Sequence, residues 1–526
     1  MTRILGSLLL VAAAGAVTTG AAPVPKGSPA ATATPLGQVI PAPASAAPYG
    51  APYRLDPGTR IGVDPTREGR RAGDQLAALL RPATGYRLPV TTHGAAGIRL
   101  RLAKGPYGAE GYRLDSGRWG VTITANEPAG LFHGVQTLRQ LLPAAVERRT
   151  PQPGPWLVAG GTIKDAPRYA WRGAMLDVSR HFFGVDEVKR YVDRLALYKF
   201  NKLHLHLSDD QGWRIAIDSW PRLATYGGST EVGGGPGGYY TKADYREIVR
   251  YAADRHLEVV PEIDMPSHTN AALASYAELN CDGVAPPLYT GTDVGFSSLC
   301  VAKDRTYDFV DDVVRELAAL TPGRYLHIGG DEAHSTSHED YVAFMDRVQP
   351  IVAKYGKTVV GWHQLTAAKP APGALAQYWG LDGTSAAEKE QVAAAARNGT
   401  GLILSPADRL YLDMKYTKDT PLGLAWAGYV EVQRSYDWDP ASYLPGAPAS
   451  AVRGVEAPLW AETLSTPEQQ EFMAFPRLPG AAELGWSPAA THDWDRYKVR
   501  LAAQAPRWDA LGIGFYHSAQ VPWPAA

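Results

Sequence analysis

Two carboxylates stand side by side at Asp331 and Glu332, in the stretch HIGGDEAHS that runs from His327 to Ser335. Adjacent acids straight after a glycine pair suggest acid–base chemistry. The usual two-carboxylate cleavage of a glycosidic bond sets its acids across that bond, about 5–5.5 Å apart with retention or about 6.5–9.5 Å with inversion. Backbone neighbours are poorly placed to straddle a bond. A catalytic role for this pair therefore demands a second partner from elsewhere.

Other chemistry-bearing residues recur in short motifs: Arg180 in DVSRHF, Asp209 and Asp210 in HLSDDQGW, Asp264 and His268 in EIDMPSH. Further along come Trp362 with His363, Tyr378 with Trp379, Tyr411 and Asp413 in RLYLD, Trp426, and Trp460 with Glu462 in LWAE. Carboxylates and arginine hydrogen-bond sugar hydroxyls, and indole faces wall a ring. Asp210, Asp264 and His363 read as supporting residues. The glycine-rich EVGGGPGGYY lacks the lysine and helix start of a phosphate loop, and no G-x-S-x-G serine elbow occurs. A metal reading draws on His204 and His206 in HLHL, with His268, His327 and Asp331 to complete a site. Strict strand alternation turns both histidines away from Asp209, so they are read as packed and hydrogen-bonded. No metal and no cofactor are expected.

The elements that must position these residues follow from hydrophobic pattern. Eight short apolar segments qualify as buried strands: WRGAMLDVS, KLHLHLS, LEVVPEID, RYLHIGG, KTVVGW, ALAQYWG, GLILSP and GVEAPLW. Amphipathic helices lie between them. In one, Tyr245, Ile248, Val249 and Ala252 share a face, and Thr241 with Asp244 forms a capping box. Eight such repeats predict an α/β fold, a closed (β/α)8 barrel over residues 168–526. The fifth connection, with TAAKPAPG, and the run from about 411 to 453 are poor helices. In such a barrel function gathers at the C-terminal strand ends, where every motif above falls.

The rest of the chain is read from composition. Residues 1–22 form a signal peptide, one Arg before an apolar run too short to span a membrane, so the protein is expected outside the cell. Residues 23–50 are rich in Ala and Pro and read as an exposed linker. Residues 51–167 mix alternating strands with two helices, a small non-catalytic α+β domain. Over 526 residues the net charge is −1, with no basic excess for nucleic acid and no polybasic segment for a membrane surface. The only two cysteines, Cys281 and Cys300, read as a disulfide in an exported chain.

HIGGDE, preceded by SRHF, LHLHLSDDQGW and EIDMPSH and followed by LWAE and FPRLPGAAELGW, resembles the family 20 glycoside hydrolases, the β-N-acetylhexosaminidases. Ser267 departs from the glycine that the family often has before the histidine. The resemblance implies an exo-acting enzyme on terminal β-linked GlcNAc or GalNAc, retaining and substrate-assisted, the family being an exception to the two-carboxylate rule. It implies Glu332 as acid and then base, Asp331 and Tyr411 as partners of the 2-acetamido group, and Asp209 with His268 as a relay behind Glu332. It implies Arg180, Asp413 and Glu462 as hydroxyl-binding residues, and Trp362, Trp379, Trp426 and Trp460 as walls. Burial and the neighbouring acid are expected to raise the Glu332 pKa.

Overall fold

Strands of three to seven residues alternate with helices from Trp171 onward, and each strand pairs in parallel with the next. The computed structural model describes residues 33–524. The first barrel strand, Trp171–Asp177, pairs with the second, Lys202–His206, and also with the eighth, Val452–Ala457, which closes the barrel. The others are Glu258–Glu262, Tyr325–His327, Thr358–Trp362, Leu375–Tyr378 and Gly401–Leu404. Helices Val185–Leu197, Lys242–Ala253, Asp304–Leu320, His338–Lys354 and Ala386–Arg397 cover the sheet. The Lys242 helix starts as its sequence requires: Thr241 accepts from the Asp244 N–H, Asp244 reaches back, and Tyr245, Ile248 and Ala252 are buried. The fifth connection carries only a 3-10 turn, His363–Ala367. The long seventh connection holds two short helices, Ala407–Leu410 and Val432–Tyr436, and two 3-10 turns.

Inside the barrel, residues two apart along each strand stack in layers. Trp171, Val260, Val360, Leu375 and Ile403 form an apolar layer. His204, His206, Glu262, His327, Gln377 and Glu456 are buried and polar. Met175, Trp362, Tyr411 and Trp460 pack together below the mouth.

The preceding domain is a seven-stranded mixed sheet in the order Ser45–Pro48, Gly161–Asp165, Tyr112–Gly117, Gly120–Ala125, Ile98–Leu102, Ile61–Val63, Val90–Thr91. Helices Arg67–Thr84 and Pro128–Leu141 pack on it. Its core includes Trp486 from a barrel helix. Buried ion pairs fasten the two parts: Lys199 Nζ to Asp165 at 3.0 Å, Arg172 to Glu110 at 3.2 Å, and Arg507 to Glu147.

The linker reading fails for residues 33–50. Leu36, Val39 and Ile40 are buried, and Ser45–Pro48 is an edge strand paired with Gly161–Asp165. The Ile40 N–H donates to Gln140 and the Ala42 N–H to Glu483, each at 2.9 Å. Flanking Ala and Pro mask these few anchors in the composition. The signal peptide and residues 23–32 lie outside the described residues.

Candidate active site

The strand ends converge on a cavity of about 420 Å³ at the C-terminal mouth of the barrel. Of the residues singled out for catalysis or sugar binding, all but Trp362 line it. Trp362 is not on that lining: its indole is fully buried in one cluster with Tyr411 and Trp460, with Nε1 donating to Glu262 at 2.9 Å and the ring packed on Trp460. It ends a strand on an inward position, so it fills the lumen and supports the Trp460 wall.

The glycine pair explains the local geometry of the acids. A Cβ on Gly329, at φ 63°, would sit 1.7 Å from Asp264 Oδ1, so only glycine lets the chain pass that close. The next N–H, of Gly330, donates to the same oxygen at 3.0 Å. Glu332 itself has φ 47°, a left-handed backbone costly for a side-chain-bearing residue and characteristic of functional positions. Ser267 Oγ donates to the Asp331 carbonyl, which gives the departure from glycine a role of its own.

His268 stands behind the acids. Its Nε2 lies 3.3 Å from Glu332 Oε2 and its Nδ1 lies 3.2 Å from Asp209 Oδ1. Asp209 Oδ2 also meets Arg180 Nη2 at 2.9 Å and His206 Nε2 at 2.7 Å. The last contact overturns the alternation argument. The strand stops at His206, and a turn closed by the Asp209 N–H on the Gly212 carbonyl brings Asp209 back over it. Arg214 pins the loops behind that turn, its five N–H groups donating to the carbonyls of Val178, Ser179, Gly228, Thr230 and Gly238. The metal reading meets a chemical obstacle: both nitrogens of His204 and of His206 face carboxylates, leaving neither ring a free ligand atom.

Charge is distributed unevenly. Burial opposes the charge on His268, but Asp209 and Asp331 outweigh it and hold the imidazolium. Burial raises the Glu332 pKa, yet His268 outweighs burial and holds it below the ordinary value. The expectation of a raised Glu332 is thus reversed. Burial, then Asp331, pushes Asp264 well above the carboxylate range. Asp331 is raised by burial, with His268 and a bond from Asp264 acting against it. Of this pair, Asp264 is pushed up the further.

At the other wall, burial and then Glu462 raise Asp413. Both oxygens of Asp413, Glu462 Oε2 and Asp331 Oδ1 are buried with no hydrogen-bond donor among the described residues. Buried acceptors of this kind require a donor. Trp379, Tyr411, Trp426 and Trp460 surround them, with centroids 5.8–6.1 Å apart between Tyr411 and its tryptophan neighbours. The arrangement fits a ligand with donors on its rim and an apolar face.

Asp264 lines the cavity as well as supporting it, and sequence reasoning missed Thr292, Val294 and Leu424. Thr292 and Val294 belong to the loop closed by the Cys281–Cys300 disulfide, which the structure forms. The loop has no hydrophobic period, and the cysteine pair was its only signal.

The family model for the glycosyl hydrolase family 20 catalytic domain matches residues 169–489, and that for its domain 2 matches residues 37–166. The chain is 42% identical over 479 residues to a β-N-acetylhexosaminidase of Cellulomonas fimi, covering 90% of this chain and 95% of that protein. The solved GH20 β-N-acetylhexosaminidase of Streptomyces coelicolor A3(2) superposes with a TM-score of 0.94 at 82% identity, covering 94% of this chain and all of that one. A mutant Streptomyces plicatus β-hexosaminidase in complex with its product GlcNAc gives 0.93 at 82% identity, covering 94% and 99%.

Proposed function

The chain belongs to glycosyl hydrolase family 20 and is a β-N-acetylhexosaminidase, and from that premise we propose that it removes single terminal N-acetylhexosamine residues with retention, using the substrate's own acetamide as nucleophile. The observation that carries this reading is the placement of Asp331. Its Oδ1 is buried without a donor, inside an aromatic box, next to an acid that comes closer to His268, at 3.3 Å against 3.9 Å for Asp331.

The acetamide oxygen attacks the anomeric carbon as the bond to the leaving oxygen breaks. Glu332 gives that oxygen its proton, and an oxazolinium ion forms. Asp331 accepts the acetamide N–H and offsets the developing positive charge, while Tyr411 donates to the acetamide carbonyl. Water then adds to the anomeric carbon from the side the leaving group left, giving its proton to Glu332, as the bond from that carbon to the acetamide oxygen breaks and the acetamide is restored. Substrate filling the cavity removes water from Glu332 and raises its pKa, countering His268 and readying the acid. Holding the acetamide in place replaces a bimolecular encounter with an intramolecular one.

Arg180, Asp413 and Glu462 close the deep end, which supports single-sugar release. The terminal sugar is GlcNAc or GalNAc, in keeping with the GlcNAc product held by the S. plicatus relative. Export is supported by the sequence of residues 1–22 and by the disulfide, which persists in oxidising compartments. The mechanism is tested by comparing aryl β-GlcNAc with aryl β-glucoside. Strong preference for the first is expected; equal rates would remove the acetamide nucleophile.

A further inference from the structure

The HLHL motif finds no use in the mechanism above, yet its two histidines are fully enclosed in the barrel. They are links in a chain that reaches the acid. His204 Nδ1 meets Glu456 at 2.7 Å and its Nε2 meets Glu262 at 2.9 Å. His206 Nδ1 meets the same Glu262 oxygen, and its Nε2 meets Asp209 at 2.7 Å. From Asp209 the series continues through His268 to Glu332. Carboxylate and imidazole therefore alternate: Glu456, His204, Glu262, His206, Asp209 and His268 are joined by hydrogen bonds, and Glu332 stands at an ion-pair distance of 3.3 Å from the last imidazole. The barrel is shaped to hold the chain. A Cβ on Gly173 would lie 2.1 Å from Glu456 Oε2, and Trp171 and Gln377 donate to Glu456 at 2.8 and 2.9 Å.

An imidazole with both nitrogens against carboxylates can donate from both only as the cation; a neutral ring would set a lone pair against an anion. The arrangement thus demands imidazolium at His204 and at His206, each between two acids, and the nearby Asp209 and Asp331 hold His268 in the same form.

We propose that this alternating series locks Asp209 and His268 in orientation and in charge, so that His206, and more distantly His204, are positioning residues that set how firmly Glu332 holds its proton. No proton travels along the series. Each ion fixes the next, and the last fixes the acid. The proposal rests on Glu332 being the acid of the reaction.

The groups around the acid are accounted for. His268, Arg180 and His334 face Glu332 and favour its charged form, while Glu332 in turn raises Asp331. Asp210 stands 3.8 Å from His268, and Asp264 lies behind Asp331. Burial opposes charge on His206, but Glu262 and Asp209 outweigh it and raise it well above the ordinary range. Removing that cation removes a positive influence on Glu332. Its pKa then rises, and the basic limb of the kcat/KM–pH profile, which reports the protonated acid of the free enzyme, moves to higher pH.

The test is the pH profile of His206→Gln and His204→Gln on an aryl β-GlcNAc substrate, with Tm measured for each. His206→Gln is expected to lower kcat about 10–100-fold, as loss of an orienting partner does, with KM changed less than about threefold. Its basic limb should move up on the order of one pH unit, the effect of one charge deleted about 10 Å away at an effective dielectric near 20. His204→Gln should move the limb the same way by less, and it carries the test if His206→Gln does not fold. Trp171→Phe removes a neutral donor to Glu456 and should lower Tm with the limb in place. An unmoved limb in both histidine variants, with activity following Tm alone, would overturn the proposal. A Glu332→Gln enzyme that keeps the wild-type basic limb would instead remove the acid assignment itself, so the two failures are separable.

Discussion

Asp331→Asn isolates the charge that the mechanism needs, because asparagine keeps the shape and an acceptor oxygen. In the reacting complex the carboxylate faces an acetamide whose positive charge grows as the oxazolinium forms. Two unit charges about 4 Å apart at an effective dielectric near 20 interact by about 4 kcal/mol. The amide oxygen of asparagine still accepts one hydrogen bond, about 1 kcal/mol of which is kept. The remaining ~3 kcal/mol corresponds to a loss of about 10²–10³ in kcat, with a smaller change in KM. The assay is steady-state release of 4-nitrophenol from its β-GlcNAc glycoside across a pH series. A second signature has a definite sign. Asp331 and Glu332 repel as anions, so Asp331 favours the proton on Glu332. Removing its charge lowers the Glu332 pKa and moves the basic limb to lower pH, opposite to the shift expected for His206→Gln. A loss below about tenfold, or a limb that moves up, would refute the assigned role.

Glu332→Gln should cut turnover far more on a sugar leaving group than on 4-nitrophenol, which departs without a proton; comparing chitobiose with the aryl glycoside tests this, and a uniform loss would contradict it. Glu462→Gln should weaken kcat/KM by about 12–150-fold, the worth of hydrogen bonds to a charged acceptor at about 1.5–3 kcal/mol, a loss read from substrate saturation curves. Glu316 accepts from the Asp218 and Ser219 N–H groups and from Lys242, and these bonds, against the opposing effect of burial, hold its pKa at about 2. Its folded value lies below its unfolded one, so its stabilisation is present above the ordinary glutamate range and is lost as pH falls toward 2. The Tm difference between wild type and Glu316→Gln should therefore shrink between about pH 6 and about pH 3. A chelator should leave turnover unchanged, which is checked by assay after EDTA treatment and dialysis.

Much of this site was legible in the sequence because a parallel barrel turns spacing into position. Once eight apolar strands are recognised, their last residues must share one mouth, and that alone gathers Arg180, Asp209, Asp331, Tyr411 and Glu462. Legibility ends where regular structure ends. Parity along a strand stops counting at its last residue, so Asp209 could fold back onto His206. Trp362 and Trp460 look alike as strand-end tryptophans, and only lumen packing separates a support from a wall. Val294 sits in a loop whose course is set by tertiary contacts and a disulfide. The segment from Leu36 to Pro48 hides its few anchors among residues typical of linkers. The lowered Glu332 pKa depends on the approach of His268, which spacing cannot measure.

The ion pairs between the N-terminal sheet and the barrel have a consequence for how the molecule can be divided. Lys199 and Arg172 belong to the barrel, but their acids, Asp165 and Glu110, come from the sheet. Severing the chain between them would leave cations enclosed without counterions, and Trp486 without the core it completes. The boundary that separates the two family modules is thus not a boundary of stability. Heating should melt both as one transition. A catalytic module moved to a new scaffold would need its acids moved with it.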